Sequence, residues 1–134
     1  MLKDLPVNQV HNVGIAIVLE EESVGSKSWG VYLLNLKDKP LMQVMVSSKG
    51  YGLRTNEEVN TSILRHSIGE LEAGDFVLIE PIIEELFSLS NEYLLSFYLD
   101  NVLYDRRYVF VPESVVDSNF IRIPVINKPG VMII

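Results

Sequence analysis

Residues 29–52 read WGVYLLNLKDKPLMQVMVSSKGYG, and this stretch decides the fold of the chain. Residues 29–36 carry apolar side chains on both faces of an extended chain, which is typical of a strand that is buried on both sides. Residues 37–40 are turn formers, because three of them are charged and Pro40 has no backbone N–H to donate. Residues 41–46 (LMQVMV) resume a strand, so the stretch predicts a β-hairpin.

Two glycines close this stretch on either side of Tyr51. Residues 47–50 (SSKG) are predicted to end the second strand. Gly50 and Gly52 then indicate a turn, because glycine adopts backbone conformations that are disfavoured in regular structure. The stretch matches neither of the phosphate-binding patterns G-x-x-x-x-G-K and G-x-G-x-x-G.

The rest of the chain continues the pattern of short apolar stretches between turn signals. Further strands are predicted over residues 9–19, 76–83, 93–99, 102–111 and, more briefly, 121–125. Residues 20–28 are predicted to form a polar loop, Asp100 and Asn101 a two-residue turn, and residues 82–89 one short turn of helix. The pattern predicts an all-β fold, a two-layer antiparallel β-sandwich with at most one or two helical turns. A β-barrel is the alternative.

The apolar side chains of these strands define the expected core. The residues predicted to be mostly buried are Trp29, Leu33, Leu34, Val44, Val46, Val77, Ile79, Phe97 and Phe110. The apolar C-terminal residues 131–134 (VMII) predict a homodimer or larger oligomer, with pairing inside the protein's own sheet as the alternative.

Composition bounds the class of protein. The 134 residues correspond to a single domain, residues 1–134, and 48% apolar residues is normal for a globular protein. The absence of cysteine excludes disulfides, thiolate metal ligands and a thiol nucleophile. A net charge of −7 makes nucleic acid and anionic membranes unexpected partners. Because no apolar stretch has the length of a signal peptide or a membrane helix, we expect a soluble, cytoplasmic protein.

No motif of a known catalytic or metal site is present. The two histidines, His11 and His66, are far apart in the sequence, and neither a G-x-S-x-G nor an H-E-x-x-H motif accompanies them. The acids Glu80, Glu84 and Glu85 are more typical of a solvated surface than of paired catalytic carboxylates. We therefore expect no enzyme activity, no metal and no cofactor.

One group of basic residues is unusual in this acidic chain. Lys49, Arg54, Arg65 and His66 flank Tyr51. If the strands that carry them pair, their side chains would converge on an anion, because arginine binds carboxylate and phosphate in a bidentate manner and tyrosine adds a flat face with a hydroxyl. The alternative is that Arg65 pairs with a glutamate and that His66 is half-buried with a partner of its own.

Residues 29–79 contain an aromatic strand that ends in Asn35, the strand LMQVMV, and a return over residues 71–80 (LEAGDFVLIE). This order is similar to that of small immunoglobulin-like modules. The resemblance covers only part of the chain. It implies an immunoglobulin-like sandwich and no particular site.

Four stretches, WGVYLLNL (29–36), SSKGYG (47–52), TSILRH (61–66) and LSNEYLLSFY (89–98), carry a second resemblance. They resemble a family of short bacterial proteins of uncharacterised function, some of which carry the label of a phenylalanine–tRNA ligase subunit. The label implies no activity here, because such a ligase needs a far longer adenylate-forming domain with phosphate-binding arginines on a large antiparallel sheet.

Two functions are compatible with the sequence. The first is a non-enzymatic binding or assembly module that binds a protein partner or a second copy of itself, since exposed edge strands accept partners. The alternative is a small enzyme or ligand-binding domain that holds an anionic ligand with Arg54, Arg65 and His66. A deep pocket at Arg65 or His66 would favour the alternative, and a flat apolar surface would favour assembly.

Overall fold

A computed structural model of the chain describes residues 9–134. The strands within these residues are β1 (Val13–Ser23), β2 (Ser26–Asn35), β3 (Leu41–Arg54), β4 (Glu57–Asn60), β5 (Leu64–Leu71), β6 (Phe76–Ile82), β7 (Ser90–Leu99), β8 (Val102–Phe110), β9 (Ile121–Arg122) and β10 (Pro129–Ile133). Two short 3₁₀ helices, Glu84–Ser88 and Asp117–Asn119, are the helical segments of this part of the chain. Within the described residues, no helix is long and apolar enough to cross a membrane.

The strands form two antiparallel sheets that pack on each other. In the first sheet the strand order is β6-β2-β1-β10-β9. The second sheet is centred on β3, which pairs along one edge with β7, and β7 in turn pairs with β8. Along its other edge β3 pairs with β5 over residues 41–48 and with β4 over residues 51–54. The predicted all-β, two-layer antiparallel sandwich with two short helical turns is confirmed.

The main core lies between the two sheets, because the central strands each turn one row of apolar side chains inward. Ile15, Leu33 and Phe97 are among the fully buried residues of this core. The residues predicted to be buried are all buried except Val77, which is half-buried against the same core. Leu34 is buried on the opposite side of its strand.

A second, smaller apolar cluster covers the outer side of the first sheet. Ala16, Val18, Leu34 and Ile123 are fully buried in it. The small side chains on this face of β1 leave room for residues 123–126 to cross the sheet, so the first sheet has apolar cover on both sides. Over the residues that the structure describes, the second sheet has such cover on its inner side alone.

Asn35 ends β2 and fixes the turn that leads into the second sheet. Its side chain is fully buried, and its Nδ2 donates to the backbone oxygens of Lys39, at 2.8 Å, and Leu71, at 3.1 Å. Its Oδ1 accepts from the backbone N–H of Lys37 at 3.0 Å. One amide therefore holds together the two connections between the sheets, from β2 to β3 and from β5 to β6. The β-hairpin predicted over residues 29–46 is wrong, because β2 and β3 lie in different sheets and residues 36–40 carry the chain from one sheet to the other.

The polar loop predicted over residues 20–28 is wrong. β1 and β2 extend as a hairpin to Ser23 and Ser26, and only Val24 and Gly25 form its turn. Backbone pairing does not depend on the polarity of the side chains, and Gly25 has the positive φ, 79°, that a two-residue turn requires. The polar residues reflect the solvent exposure of this end of the hairpin.

The turn predicted at Gly50 and Gly52 is also wrong, because β3 runs through both residues. A Cβ at Gly50 would lie 3.2 Å from Thr61 Cγ2, which is closer than ordinary packing allows. Gly52 has a φ of +151°, a conformation that other residues rarely adopt. The two glycines serve close packing and backbone geometry inside a strand, and composition does not distinguish these roles from a turn.

The C-terminal residues pair inside the protein. β10 lies beside β1 in the first sheet, Val131 is buried, and Ile134 remains exposed at its end. Pairing within the protein's own sheet was the alternative to oligomerisation, so the apolar C-terminus no longer argues for an oligomer. The strand predicted over residues 121–125 is shorter, because Val125 has a positive φ of 67°.

Candidate binding surface

The two faces of the second sheet separate the residues predicted to form an anion site. Side chains alternate along a strand, so Arg65 and His66, which are neighbours on β5, lie on opposite faces. Lys49 and Tyr51 share the outer face with Arg65, while Arg54 at the end of β3 contacts the first 3₁₀ helix. The structure thus places these side chains in separate environments rather than around one ligand.

His66 faces the first sheet and contacts Glu80 of β6. Its Nε2 lies 2.7 Å from Glu80 Oε1, and Ser48 Oγ donates to the same oxygen at 2.7 Å. The Tyr93 hydroxyl donates to Glu80 Oε2 over 3.5 Å. Burial, followed by the charge of Glu80, raises the pKa of Tyr93 well above its ordinary value. One carboxylate therefore connects strands of both sheets.

This group lacks the geometry of a nucleophilic triad. The Ser48 hydroxyl donates to Glu80 rather than to His66, so the imidazole is not placed to accept the serine proton. The adjoining cleft, lined by Ser48, Glu80 and Tyr93, has a volume of about 180 Å³, which is below the range of most ligand sites. The group joins the sheets and offers little room for a substrate.

Arg54 caps the last turn of the 3₁₀ helix Glu84–Ser88. Its guanidinium donates to the backbone oxygen of Glu85 at 2.8 Å and to Ser88 Oγ at 3.3 Å. The last carbonyls of a helix have no partner within it, and a basic side chain satisfies them. Arg54 is therefore engaged in a structural contact that the sequence did not predict.

On the outer face, Glu92 occupies the position between Lys49 and Tyr51 that an anionic ligand would take. The carboxylate is 6% exposed, accepts from Arg107 Nε at 2.6 Å and lies 3.6 Å from Lys49 Nζ. The Tyr51 hydroxyl donates to Glu92 at 3.3 Å and accepts from Arg107 at 3.4 Å. The hydrogen bond that Arg107 donates to Tyr51, followed by the one that it donates to Glu92, raises the pKa of Arg107 above its ordinary value. The anion of this group is the protein's own carboxylate.

We define the outer face as the solvent-facing side of β5, β3, β7 and β8. Its residues include Met42, Met45, Ser47, Lys49, Tyr51, Arg65, Ser67, Glu92, Leu94, Ser96, Tyr98, Leu103, Asp105, Arg107 and Val109. Met45 and Leu94, on the two central strands, are 46% and 45% exposed. They line a depression of about 430 Å³ together with Arg65 and Asp105. The outer face therefore combines exposed apolar surface with charge.

Arg65 and Asp105 differ from the other charged residues of the outer face. Lys49 and Arg107 each pair with Glu92. The side chains of Arg65 and Asp105 form no hydrogen bond or ion pair with any residue in the range 9–134. Two opposite charges are thus available to a partner, one on β5 and one on β8.

Glu92 and Arg107 are absent from the site predicted from the sequence, because they lie on β7 and β8, far from Tyr51 in the chain. A signal for them was present. The turn at Asp100 and Asn101 sets the register of the β7–β8 hairpin, and that register places Glu92 diagonally across from Arg107 on one face.

Comparison with known proteins assigns neither a family nor a function to the chain. Neither a scan against protein-family models nor a search of the curated proteins gave a match. Within the described chain, no group of three or more histidine and acidic side chains is arranged to hold a metal ion. The chemistry of the protein's own surface is what points to a function.

Proposed function

We propose that this protein is a non-enzymatic binding or assembly module that binds another protein through its outer face. The observation that carries the proposal is the exposure of Met45 and Leu94 beside Arg65, whose guanidinium has no partner between residues 9 and 134. Methionine and arginine are enriched in protein interfaces, and an exposed apolar patch with polar groups around it is typical of an interaction site.

The contrast between the two sheets supports the choice of surface. On the first sheet, Ile123 and its neighbours bury the outer side under a segment of the same chain. On the second sheet, the corresponding side keeps large apolar side chains in water. Burying such side chains in an interface is favourable by about 25 cal/mol per Å² of apolar area.

The alternative, a small enzyme or ligand-binding domain that uses Arg54, Arg65 and His66, receives less support. The three side chains lie in different places, and Arg54 and His66 already have protein partners. Of these three residues, only Arg65 lines the depression of about 430 Å³ on the outer face.

Affinity capture with matched variants tests the proposal. Wild-type protein, Leu94→Arg and Val24→Arg are immobilised separately and exposed to lysate of the source organism. Both substitutions place an arginine at an exposed apolar position, Leu94 on the outer face and Val24 at the tip of the β1–β2 hairpin. Circular dichroism and thermal unfolding confirm that all three baits are folded.

The expected result is that a protein retained by the wild type, whether a partner or the chain itself, is also retained by Val24→Arg and lost from Leu94→Arg. Equal retention by all three baits would show that the outer face is not the binding surface. Loss from Val24→Arg alone would move the surface to the hairpin tip.

A further inference from the structure

The strand β8 forms an edge of the second sheet. It pairs with β7 on one side, and over residues 9–134 no strand lies beside it on the other. Asp100 and Asn101 form a two-residue turn with a positive φ at both positions, so Leu99 and Val102 are the first hydrogen-bonded pair of the hairpin. Every second residue from Val102 onward therefore bonds to β7, and the residues between them point their N–H and C=O groups away from it.

Asp105 and Arg107 are two of the residues whose backbone groups point to the open edge. Neither has a backbone hydrogen bond on that side to any residue in the range 9–134. Both side chains are exposed and lie on the outer face. Such an edge accepts another strand, because its N–H and C=O groups repeat at the spacing of a β-ladder.

We infer that this edge pairs with β8 of a second copy of the chain, antiparallel, across a twofold axis that is perpendicular to the sheet and passes between the two Arg106 residues. Arg106 is the midpoint of Val102–Phe110, so this register gives the two strands their greatest overlap. The inference goes beyond the proposed function, because it uses an edge of the sheet and leaves the outer face open. A twofold contact uses the same surface on both copies, so β8 must be complementary to its own reverse.

The charges of β8 meet this requirement. In the register centred on Arg106, Asp105 of each copy lies directly opposite the partner's Arg107, and the two residues exchange backbone hydrogen bonds. By symmetry the pair occurs twice, both times on the outer face. Opposite charges that face each other across antiparallel strands stabilise the pairing, whereas like charges in the same positions destabilise it.

Charge also selects this register against its neighbours. A shift by one residue would set the outward groups of one strand against residues whose groups point to their own β7, so no ladder would form. A shift by two residues keeps the ladder, but it sets either Asp105 against the partner's Asp105 or Arg107 against the partner's Arg107. The register of greatest overlap is thus also the one that matches opposite charges.

The surroundings of the two side chains favour the same pairing. The Asp105 carboxylate has no hydrogen bond or ion pair with any residue in the range 9–134. Arg107 and Lys49 both pair with the single carboxylate of Glu92, which leaves this group with one positive charge in excess. The partner's Asp105 supplies the negative charge that balances it.

Arg106 faces its own counterpart at the axis, which brings two like charges near each other. Its side chain lies on the inner face, with the guanidinium carbon 4.4 Å from the centroid of the Tyr108 ring. Tyr108 is two residues further along β8, and in antiparallel strands this direction is opposite in the two copies. Each guanidinium is therefore attracted to its own tyrosine, and the two groups are held on opposite sides of the axis.

Charge reversal tests the inference. Light scattering and sedimentation equilibrium measure the mass of the wild type, Asp105→Arg, Arg107→Asp, the double variant and an equimolar mixture of the two single variants. The wild type is expected to approach twice its mass of 15.2 kDa as its concentration rises. Each single variant sets two pairs of like charges opposite each other, so its dissociation constant should rise roughly tenfold.

The control for net charge is Glu21→Arg, at an exposed position of β1, which changes the charge by the same amount as Asp105→Arg. This control should dimerise as the wild type does. Circular dichroism and thermal unfolding confirm that every variant is folded, which matters most for Arg107→Asp because Arg107 also contacts Glu92.

The mixture and the double variant are the decisive samples. In a mixed dimer, Asp105→Arg contributes two arginines and Arg107→Asp contributes two aspartates, so both cross-strand pairs again have opposite charges. In the double variant the two residues exchange places, and each again faces its opposite. Association should therefore return toward the wild-type strength in both samples. A general disturbance of the surface would not restore association in this way.

Amide hydrogen exchange, followed by nuclear magnetic resonance, tests the backbone pairing separately. The N–H groups of Asp105 and Arg107 point to the open edge, so they should exchange quickly in dilute protein and become protected as its concentration rises. The N–H of Arg106 bonds to β7 and serves as the slowly exchanging internal reference. Exchange of Asp105 and Arg107 at one rate over all concentrations would contradict the ladder.

Three results of the mass measurements would overturn the inference: a wild-type mass of 15.2 kDa at every concentration up to about 1 mM, single variants that associate as the wild type does, or a mixture that remains monomeric. With the first result, the edge either stays unpaired or accepts a strand of a different protein. The proposed function is decided separately. In the capture experiment, a copy held through β8 is retained by Leu94→Arg, whereas an outer-face partner is lost.

Discussion

Glu80 and His66 lie on different sheets, and the 2.7 Å contact between Glu80 Oε1 and His66 Nε2 joins β6 to β5. These two strands lie in different sheets, so the contact joins the sheets through side chains in addition to the turn of residues 72–75. Ser48 of β3 donates to the same oxygen. Hydrogen bonds to a carboxylate are shorter and stronger than those between neutral groups, so the Glu80 carboxylate is well suited to link the two sheets.

Removing the Glu80 carboxylate should destabilise the fold. In Glu80→Ala, the donors of Ser48 and His66 lose their acceptor in a half-buried site, and we expect the free energy of unfolding to fall by about 1–3 kcal/mol. Urea unfolding at neutral pH measures this change. The exposed Glu21→Ala serves as control and should stay within about 0.5 kcal/mol of the wild type. An equal, small effect of both substitutions would mean that the contact does not hold the sheets together.

Asn35 should be among the most sensitive polar positions. Asn35→Ala leaves the backbone oxygen of Leu71 and the backbone N–H of Lys37 without the partner that now satisfies them. We expect a loss of about 1–3 kcal/mol in the free energy of unfolding, because buried polar groups without partners are costly. Asn60→Ala, at an exposed position, is the control for deleting an amide. Asn35→Ala with the stability of the control would rule out this role for Asn35.

Adjacent residues of β7 provide a matched test of the main core. Phe97 is fully buried and Tyr98 points to solvent. Phe97→Ala should therefore cost about 3–5 kcal/mol, the range for large core truncations. Tyr98→Ala should cost far less. Comparable melting temperatures for the two variants would mean that the faces of β7 are assigned the wrong way round.

The buried hydroxyl of Tyr108 should make the free energy of unfolding fall at alkaline pH. Its hydroxyl donates to the backbone oxygen of Val13 at 2.6 Å, and burial raises its pKa to about 12. The unfolded state loses this proton near pH 10, so the free energy of unfolding falls as the pH rises from about 10 to about 12, by roughly 1.4 kcal/mol per pH unit for this group. Below that range the group contributes no pH dependence.

Tyr108→Phe checks this expectation. It should lower stability by about 1 kcal/mol at neutral pH, because the hydrogen bond to Val13 is lost, and it should weaken the alkaline fall. Urea unfolding at a series of pH values between 8 and 12 measures both effects, with Tyr98→Phe as the control at an exposed position. The alkaline fall should persist unchanged in that control. If it also persists unchanged in Tyr108→Phe, it has another source.

Local sequence patterns were sufficient for the two-layer all-β class and most of the core, but they paired β2 with β3, which lie in different sheets. Adjacent apolar residues such as Leu33 and Leu34 predict that both faces of their strand are buried. The two-residue turn at Asp100 and Asn101 predicts the register of its hairpin. The extent of β3 through Gly50 was not predictable, because glycine fits both a turn and a crowded strand. The immunoglobulin-like resemblance stays a prediction.

The candidate site was less predictable than the fold, for a physical reason. A site depends on which face each side chain takes and on partners that are distant in sequence. Arg65 and His66 illustrate the first point, since adjacent positions on a strand point in opposite directions. Glu92 illustrates the second, because its pairing with Lys49 requires β7 to lie beside β3.

The central claim, that the outer face binds a protein, is tested most directly by the rate at which hydrogen peroxide oxidises Met45. Mass spectrometry gives this rate in dilute free protein and in the bound state, with Met132 of the first sheet as the internal reference. We expect oxidation of Met45 to slow in proportion to the fraction bound while that of Met132 is unchanged. Oxidation of Met45 at the free rate in a fully formed complex would contradict it.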